Sequence, residues 1–298
     1  MSWLLIAQKD FEDVVRSRMV WSIVALYAVL MGIATMGANP DTLGGGEIEA
    51  VINMFMTLAG ELLIPLIALM IGYMAIVGER QSGSLRMLFG LSHSRRDVFV
   101  GKLVSRLTLM SIVAVITCAL VGVFTYVRFG SLPMATFAQF LGVTLVMAVT
   151  FTALAVSISA VSATRMQALG GALGSYVVFA LLWHPLTAGV HYLLEGELAG
   201  LEPAGWYLFL QRLSPLTAYR QTVASVIDQY LWSMFGWPNI VEDIPPEEVT
   251  ADALALTNRA GGELPVYLGD GVALLTLLAW IAIPAAVAYW AFERADLN

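Results

Sequence analysis

Long uncharged stretches alternate with short charged ones along this chain. Apolar positions run without a charge from Met19 to Ala38, Leu62 to Gly78, Leu107 to Val127, through the long stretch between Arg128 and Arg165, from Met166 to Leu194 and from Gly271 to Phe292. Each run approaches or exceeds the roughly 18 residues that a helix needs to cross a hydrocarbon core. The pattern predicts an all-α polytopic membrane protein with about six transmembrane helices. Pro133 suits the loop or first turn before the fourth helix, which is expected to start near Ala135, and the second span is expected to reach back to Val51, enclosing Glu61.

Between and beside these runs the periodicity changes. Leu4, Ala7, Phe11, Val14 and Val15 recur at three- and four-residue spacing, with Lys9, Asp10, Glu12, Asp13 and Arg16 on the other side. This predicts an amphipathic helix on the membrane surface before the first span. After the second span, Leu85, Leu88 and Phe89 share one face of a predicted short helix that breaks at Gly90, and Ser94 with Asp97 forms a capping box for the helix that follows. Residues 195–270 collect Pro, Trp, Tyr and acidic residues into a loop too long for a turn. Within it Gly205–Leu213 and Thr222–Phe235 are apolar, and short helices on or in the outer leaflet are expected, anchored by Trp206, Tyr207, Trp232 and Trp237.

Composition supports the same class: 59% of the 298 residues are hydrophobic and 12% charged, against about 25% charged in soluble domains. A water-soluble fold is excluded. Charge then orients the spans. One set of flanking segments holds Lys9, Arg16, Arg18, Arg80, Arg86, Arg95, Arg96, Lys102, Arg106, Arg165 and Arg294, eleven cations, and the other holds four, Arg128, Arg212, Arg220 and Arg259. The positive-inside rule places both termini in the cytoplasm. Fourteen of the 22 acidic residues fall on the opposite side, so the outer face carries most of the net charge of −7. The single cysteine, Cys118, lies in an apolar run and offers neither a disulfide nor a thiolate metal site.

In the segment 78–102, Glu79, Gly83-Ser84-Leu85, Leu88, Ser94-Arg95-Arg96 and Gly101-Lys102 stand in an order and spacing that resembles the loop after the second span in the membrane subunits of ABC-2 type ABC transporters. Ser92 and His93 stand where the family has a turn proline. Lys9-Asp10-Phe11 through Arg16-Ser17-Arg18, and Phe292-Glu293-Arg294-Ala295-Asp296-Leu297, are also similar to it. The resemblance implies one permease domain over 1–298, with an interface helix in 1–18 (Leu4, Phe11, Arg16, Arg18) and a coupling loop in 78–102 (Glu79, Gly83, Ser84, Leu85, Leu88, Phe89, Arg95, Arg96). It further implies a separate ATP-binding cassette subunit as partner, a second permease copy or paralogue, and export as the direction. The chain itself has no G-x-x-x-x-G-K-[ST], because Leu103 follows Gly101-Lys102. Neither a cofactor, a metal nor nucleic acid is expected.

Two other classes compete. An ion-coupled secondary transporter would place ionisable groups in the membrane; Glu61 alone qualifies, and its expected role is a carboxylate near the loop that snorkels or is solvated. A membrane-embedded enzyme would need a ligand set or nucleophile. His184 and His191 lie seven apart on one face without a third ligand, and Trp183-His184-Pro185 is expected to mark the outer interface. There is no H-E-x-x-H and no G-x-S-x-G. Gly170 and Gly174 form a small-xxx-small pair expected to pack inside the bundle.

Overall fold

A computed structural model describes residues 2–40, 46–84, 94–231, 233 and 250–295. Among them no strand occurs; backbone groups are satisfied within helices, as hydrocarbon requires. We number the helices α1 (Ser2–Val15), α2 (Arg18–Gly37), α3 (Glu47–Ser82), α4 (Arg95–Phe129), α5 (Met134–Val161), α6 (Arg165–Glu195), α7 (Gly205–Arg212), α8 (Pro215–Ile227) and α9 (Asp270–Arg294). Helices α3, α4, α5, α6 and α9 are long and apolar enough to cross a membrane. The sixth expected span, α2, is shorter in its apolar part, Trp21–Gly37. Its 20 residues still measure about 30 Å at 1.5 Å per residue, one hydrocarbon thickness.

Helix α5 lies at the centre and packs against α3, α4, α8 and α9. Small residues allow this. A Cβ on Gly72 of α3 would stand 2.5 Å from the Ala155 methyl of α5, so the two backbones touch where dispersion and close approach hold membrane helices together. Immediately afterwards α3 loosens into a turn over residues 73–76. The amides of Ile76 and Val77 find their acceptor on α5 instead, donating to Ser159 Oγ at 3.0 and 3.1 Å.

One end of the bundle gathers α1, the turn of α3, the start of α4 and the end of α9 around Ile6, Ile76, Val98, Phe99, Ala288 and Phe292; we call it the α1 end. At the other, the loop end, α7 and α8 sit between α6 and the start of α9. The first and last described residues, Ser2 and Ala295, therefore lie at the α1 end.

Three expectations change here. Of the stretch Thr222–Phe235, expected to be interfacial, residues 222–227 belong to α8, which is not interfacial: Leu216, Thr217, Ala218, Tyr219, Thr222 and Val223 are buried, and it packs on α3, α5 and α9. Tyr219 shares a 3.1 Å hydrogen bond with Thr144, which lies about 15 Å below the loop-end start of α5 at 1.5 Å per residue. Tyr207 is likewise buried rather than anchoring at headgroup level, and its hydroxyl accepts from Gln211 at 2.8 Å; Trp232 and Trp237 lie outside the described residues. Gly170 and Gly174 do not pack inside the bundle, since a Cβ on either would meet nothing within 4 Å.

Candidate functional site: two buried charge clusters

The first cluster is at the α1 end and depends on a glycine. A Cβ on Gly101 of α4 would lie 2.8 Å from the Trp3 carbonyl and 2.9 Å from Ile6 Cβ, so only glycine lets α1 rest directly on α4. Trp3, Ile6 and Asp10 follow one another at helical spacing along that contact. Asp10 is thereby carried inward, 6% exposed, and not onto the polar face where the Leu4–Phe11 frame would put it. Leu4, expected on the buried side, is half exposed at 49%. Phe11 is partly buried, and Arg16 and Arg18 are exposed.

Asp10 accepts from Lys102 Nζ at 2.5 Å, Ser105 Oγ at 2.7 Å and Arg106 at 3.1 Å. Lys102, itself 5% exposed, also donates to Glu79 Oε1 on α3. Two carboxylates and two cations from three helices thus balance, which is the condition for burying charge at all. Of the expected coupling residues, Glu79 is in this cluster. Gly83 ends the last turn of α3 at φ +77°, a left-handed conformation that favours glycine. Ser84 Oγ lies 2.8 Å from Ser82 Oγ. Leu85, Leu88 and Phe89 lie outside the described residues.

The expected capping box at Ser94 is present: its hydroxyl accepts from the Asp97 amide at 3.1 Å, and the Asp97 carboxylate accepts from the Ser94 amide at 3.1 Å. Next to it Arg95 donates to the carbonyls of Phe292 (3.1 Å), Glu293 (2.8 Å) and Ala295 (2.7 Å). These are carbonyls at the C-terminal end of α9, where a cation suits the helix dipole. Arg96 is exposed.

The second cluster is at the loop end. Glu61 is 2% exposed, neither snorkelling nor solvated as expected from the sequence. It accepts from Arg220 of α8 at 3.0 Å and from Ser233 Oγ at 3.2 Å. Arg220 therefore adds a second ionisable group inside the bundle, where sequence counting had placed it in a loop. Arg220 also lies 3.3 Å from His184 Nε2. A guanidinium only donates, so Nε2 accepts and the proton of a neutral His184 is on Nδ1. That N–H is buried and has no partner among the described residues. His184 is 7% exposed, hence not an interface marker. His191 points elsewhere: its Nδ1 lies 3.0 Å from the Glu197 carbonyl and its ring stacks on Trp206. The two histidines form no metal site, and no group of three or more candidate ligands occurs among the described residues.

Local backbone explains how Glu61 is presented. Residues Met56–Leu63 of α3 and Val178–Leu182 of α6 are wound as π-helix, the wider turn that recurs at functional sites. Each lies just ahead of a proline, Pro65 and Pro185, which has no N–H to return to the preceding turn. Tyr176 supplies a donor instead, its hydroxyl reaching the Glu61 carbonyl at 2.9 Å. Gly60 admits the Tyr219 ring, which a Cβ would meet at 2.5 Å. A cavity of about 10 Å³, lined by Glu61, His184, Leu216, Thr217, Arg220 and Ser233 among others, has room for about one water molecule.

The other three loop-end cations are also tied in. Arg128 donates to the carbonyls of Thr35 and Met36, Arg259 to that of Leu201 at 3.1 Å, and Arg212 to Gly269 and to Gln221, both at 2.7 Å. Arg212 is fully buried, and burial pulls its guanidinium down to about 10, opposed by Asp270; it stays charged at neutral pH.

The chain matches the ABC-2 family transporter proteins over residues 4–297. It is 30% identical over 295 residues to the probable ABC transporter permease protein NosY of Stutzerimonas stutzeri, covering 97% of each chain. To the protein of the same description from Pseudomonas aeruginosa it is 31% identical over 274 residues, 89% of this chain and 95% of the relative. A bundle of apolar helices, a charged end built on Gly101-Lys102 and a match along almost its whole length lead to one conclusion: the chain belongs to the ABC-2 family, as the membrane-spanning permease subunit of an ABC transporter.

Proposed function

We propose that this permease is the translocating half of an ATP-driven exporter of the cell membrane, with its α1 end in the cytoplasm. A separate ATP-binding subunit hydrolyses the nucleotide and drives it through the segment 78–102 and through α1. The observation that carries this is Lys102, whose ammonium holds Asp10 of α1 and Glu79 of α3 at once. A push on the coupling loop is thereby shared with the interface helix and with α4, so the force reaches three helices together. The excess of eleven cations over four supports the cytoplasmic placement. With about six spans per chain, two permease copies or paralogues make the complete pore.

The test is co-purification with a candidate ATP-binding subunit. Wild type should retain the subunit, and Leu85→Asp and Leu88→Asp should lose it while still inserting. Equal retention by the variants would reduce 78–102 to a connector.

A further inference from the structure

The pair Glu61–Arg220 has no part in docking an ATPase. We propose that it is a latch: Arg220 holds α8 down on the π-wound turns of α3 and α6, and parting of the pair lets the loop end open in each transport cycle. The inference rests on the reading above that the chain is ATP-driven.

Stability alone does not account for such a pair. A buried ion pair adds little over apolar residues of the same volume, whereas its best-attested use is to fix one arrangement of two elements against another. Here the two elements are separable. Helix α8 packs on α3, α5 and α9 through Leu216, Ala218, Tyr219 and Val223, its polar ties across the bundle include the Tyr219–Thr144 hydrogen bond and the ion pair, and it enters the bundle from the loop end through Ser214-Pro215. What it grips is compliant. Glu61 lies within a π-helical turn and His184 two residues beyond another, just ahead of Pro65 and Pro185 respectively, positions where helices kink.

Separation is also prepared chemically. The charges meet at a cavity that takes about one water molecule, and the Nδ1–H of His184, on the same lining, is a buried donor lacking an acceptor among the described residues. Water entering as α8 lifts can solvate Glu61 and Arg220 in turn, so neither is stranded bare in an apolar medium. Thr217, 3% exposed and on the cavity wall, sits where that opening would be felt first.

The experiment uses the whole complex in proteoliposomes. Cys118 is replaced by alanine, and Thr217→Cys reports by reaction with a membrane-impermeant maleimide added from the loop side. In the nucleotide-free state labelling should be slow; Glu61→Gln, which removes the charge but keeps the shape, should raise it about tenfold, the scale of a minor state becoming common. The charge swap Glu61→Arg with Arg220→Glu should return it towards the slow rate. Trapping with ATP and vanadate should speed labelling in the unswapped protein. If Glu61→Gln labels no faster than its parent, the latch is wrong, even where nucleotide still changes labelling. If Glu61→Gln opens the site but nucleotide has no effect on the parent, the latch stands and the ATP-driven reading falls. Elution of each variant at the parent's position in size-exclusion chromatography confirms that the fold is retained.

Discussion

The two ends of this bundle bury charge in opposite ways. At the α1 end two carboxylates and two cations from α1, α3 and α4 share their partners, and Asp10 alone accepts from three side chains. At the loop end a single carboxylate meets a single guanidinium, beside a histidine whose Nδ1–H lacks a partner among the described residues. The contrast teaches that neutrality and rigidity are separate properties. A shared network of several charges keeps its elements together when one ion pair lengthens, which suits helices that move as a unit; a single ion pair has no second charge to take over, which suits a joint.

The harshest way to break this comparison is Lys102→Met. It leaves both Asp10 and Glu79 with less than their share of positive charge, and should cost about 3–5 kcal/mol, the range for stranding a buried charge. Thermal unfolding in detergent would measure it. Arg220→Met strands Glu61 alone, which keeps the Ser233 hydroxyl, and should fall at the low end of that range, about 3 kcal/mol. If Arg220→Met proves the more damaging, the loop end is the rigid one and the contrast is inverted. Glycine contacts sharpen it further. Gly101→Ala drives a methyl against the Trp3 carbonyl, and Gly60→Ala drives one against the Tyr219 ring; both should lie within about 1–3 kcal/mol, as overpacking does. The former should be the worse, because backbone yields less than a side chain. Smallest is Tyr176→Phe, which removes the donor to the Glu61 carbonyl and should lower stability by about 1 kcal/mol.

What was legible in the sequence is what depends on near neighbours. Uninterrupted apolar runs give the long spans, and Ser94 with Asp97 gives the cap three residues away. Helix α8 was misplaced because a 13-residue segment is too short to cross and too mixed to look buried, so its length and polarity match an interfacial helix. Glu61 and Arg220 are 159 positions apart, beyond any periodicity. A hint was available in the arginine itself, a cation on the side that the charge rule leaves poor in cations. For α1 the period was right and the face is wider than the frame: Ala7 is buried and Phe11, Val14 and Val15 pack against the core, yet Leu4 is exposed and Ile6 and Asp10 also turn inward against α4. Gly101 allows that contact, and nothing within α1 reveals it.

Arg95 has a consequence for biosynthesis. Its three carbonyl acceptors are on Phe292, Glu293 and Ala295, nearly two hundred residues after it in the order of translation. Helix α4 is synthesised early and carries its own Ser94–Asp97 cap, but the bonds from Arg95 form only after the ribosome has delivered α9. A nascent chain stalled before that point presents Arg95 with none of those acceptors, so an incomplete permease has the start of α4 unfastened from α9.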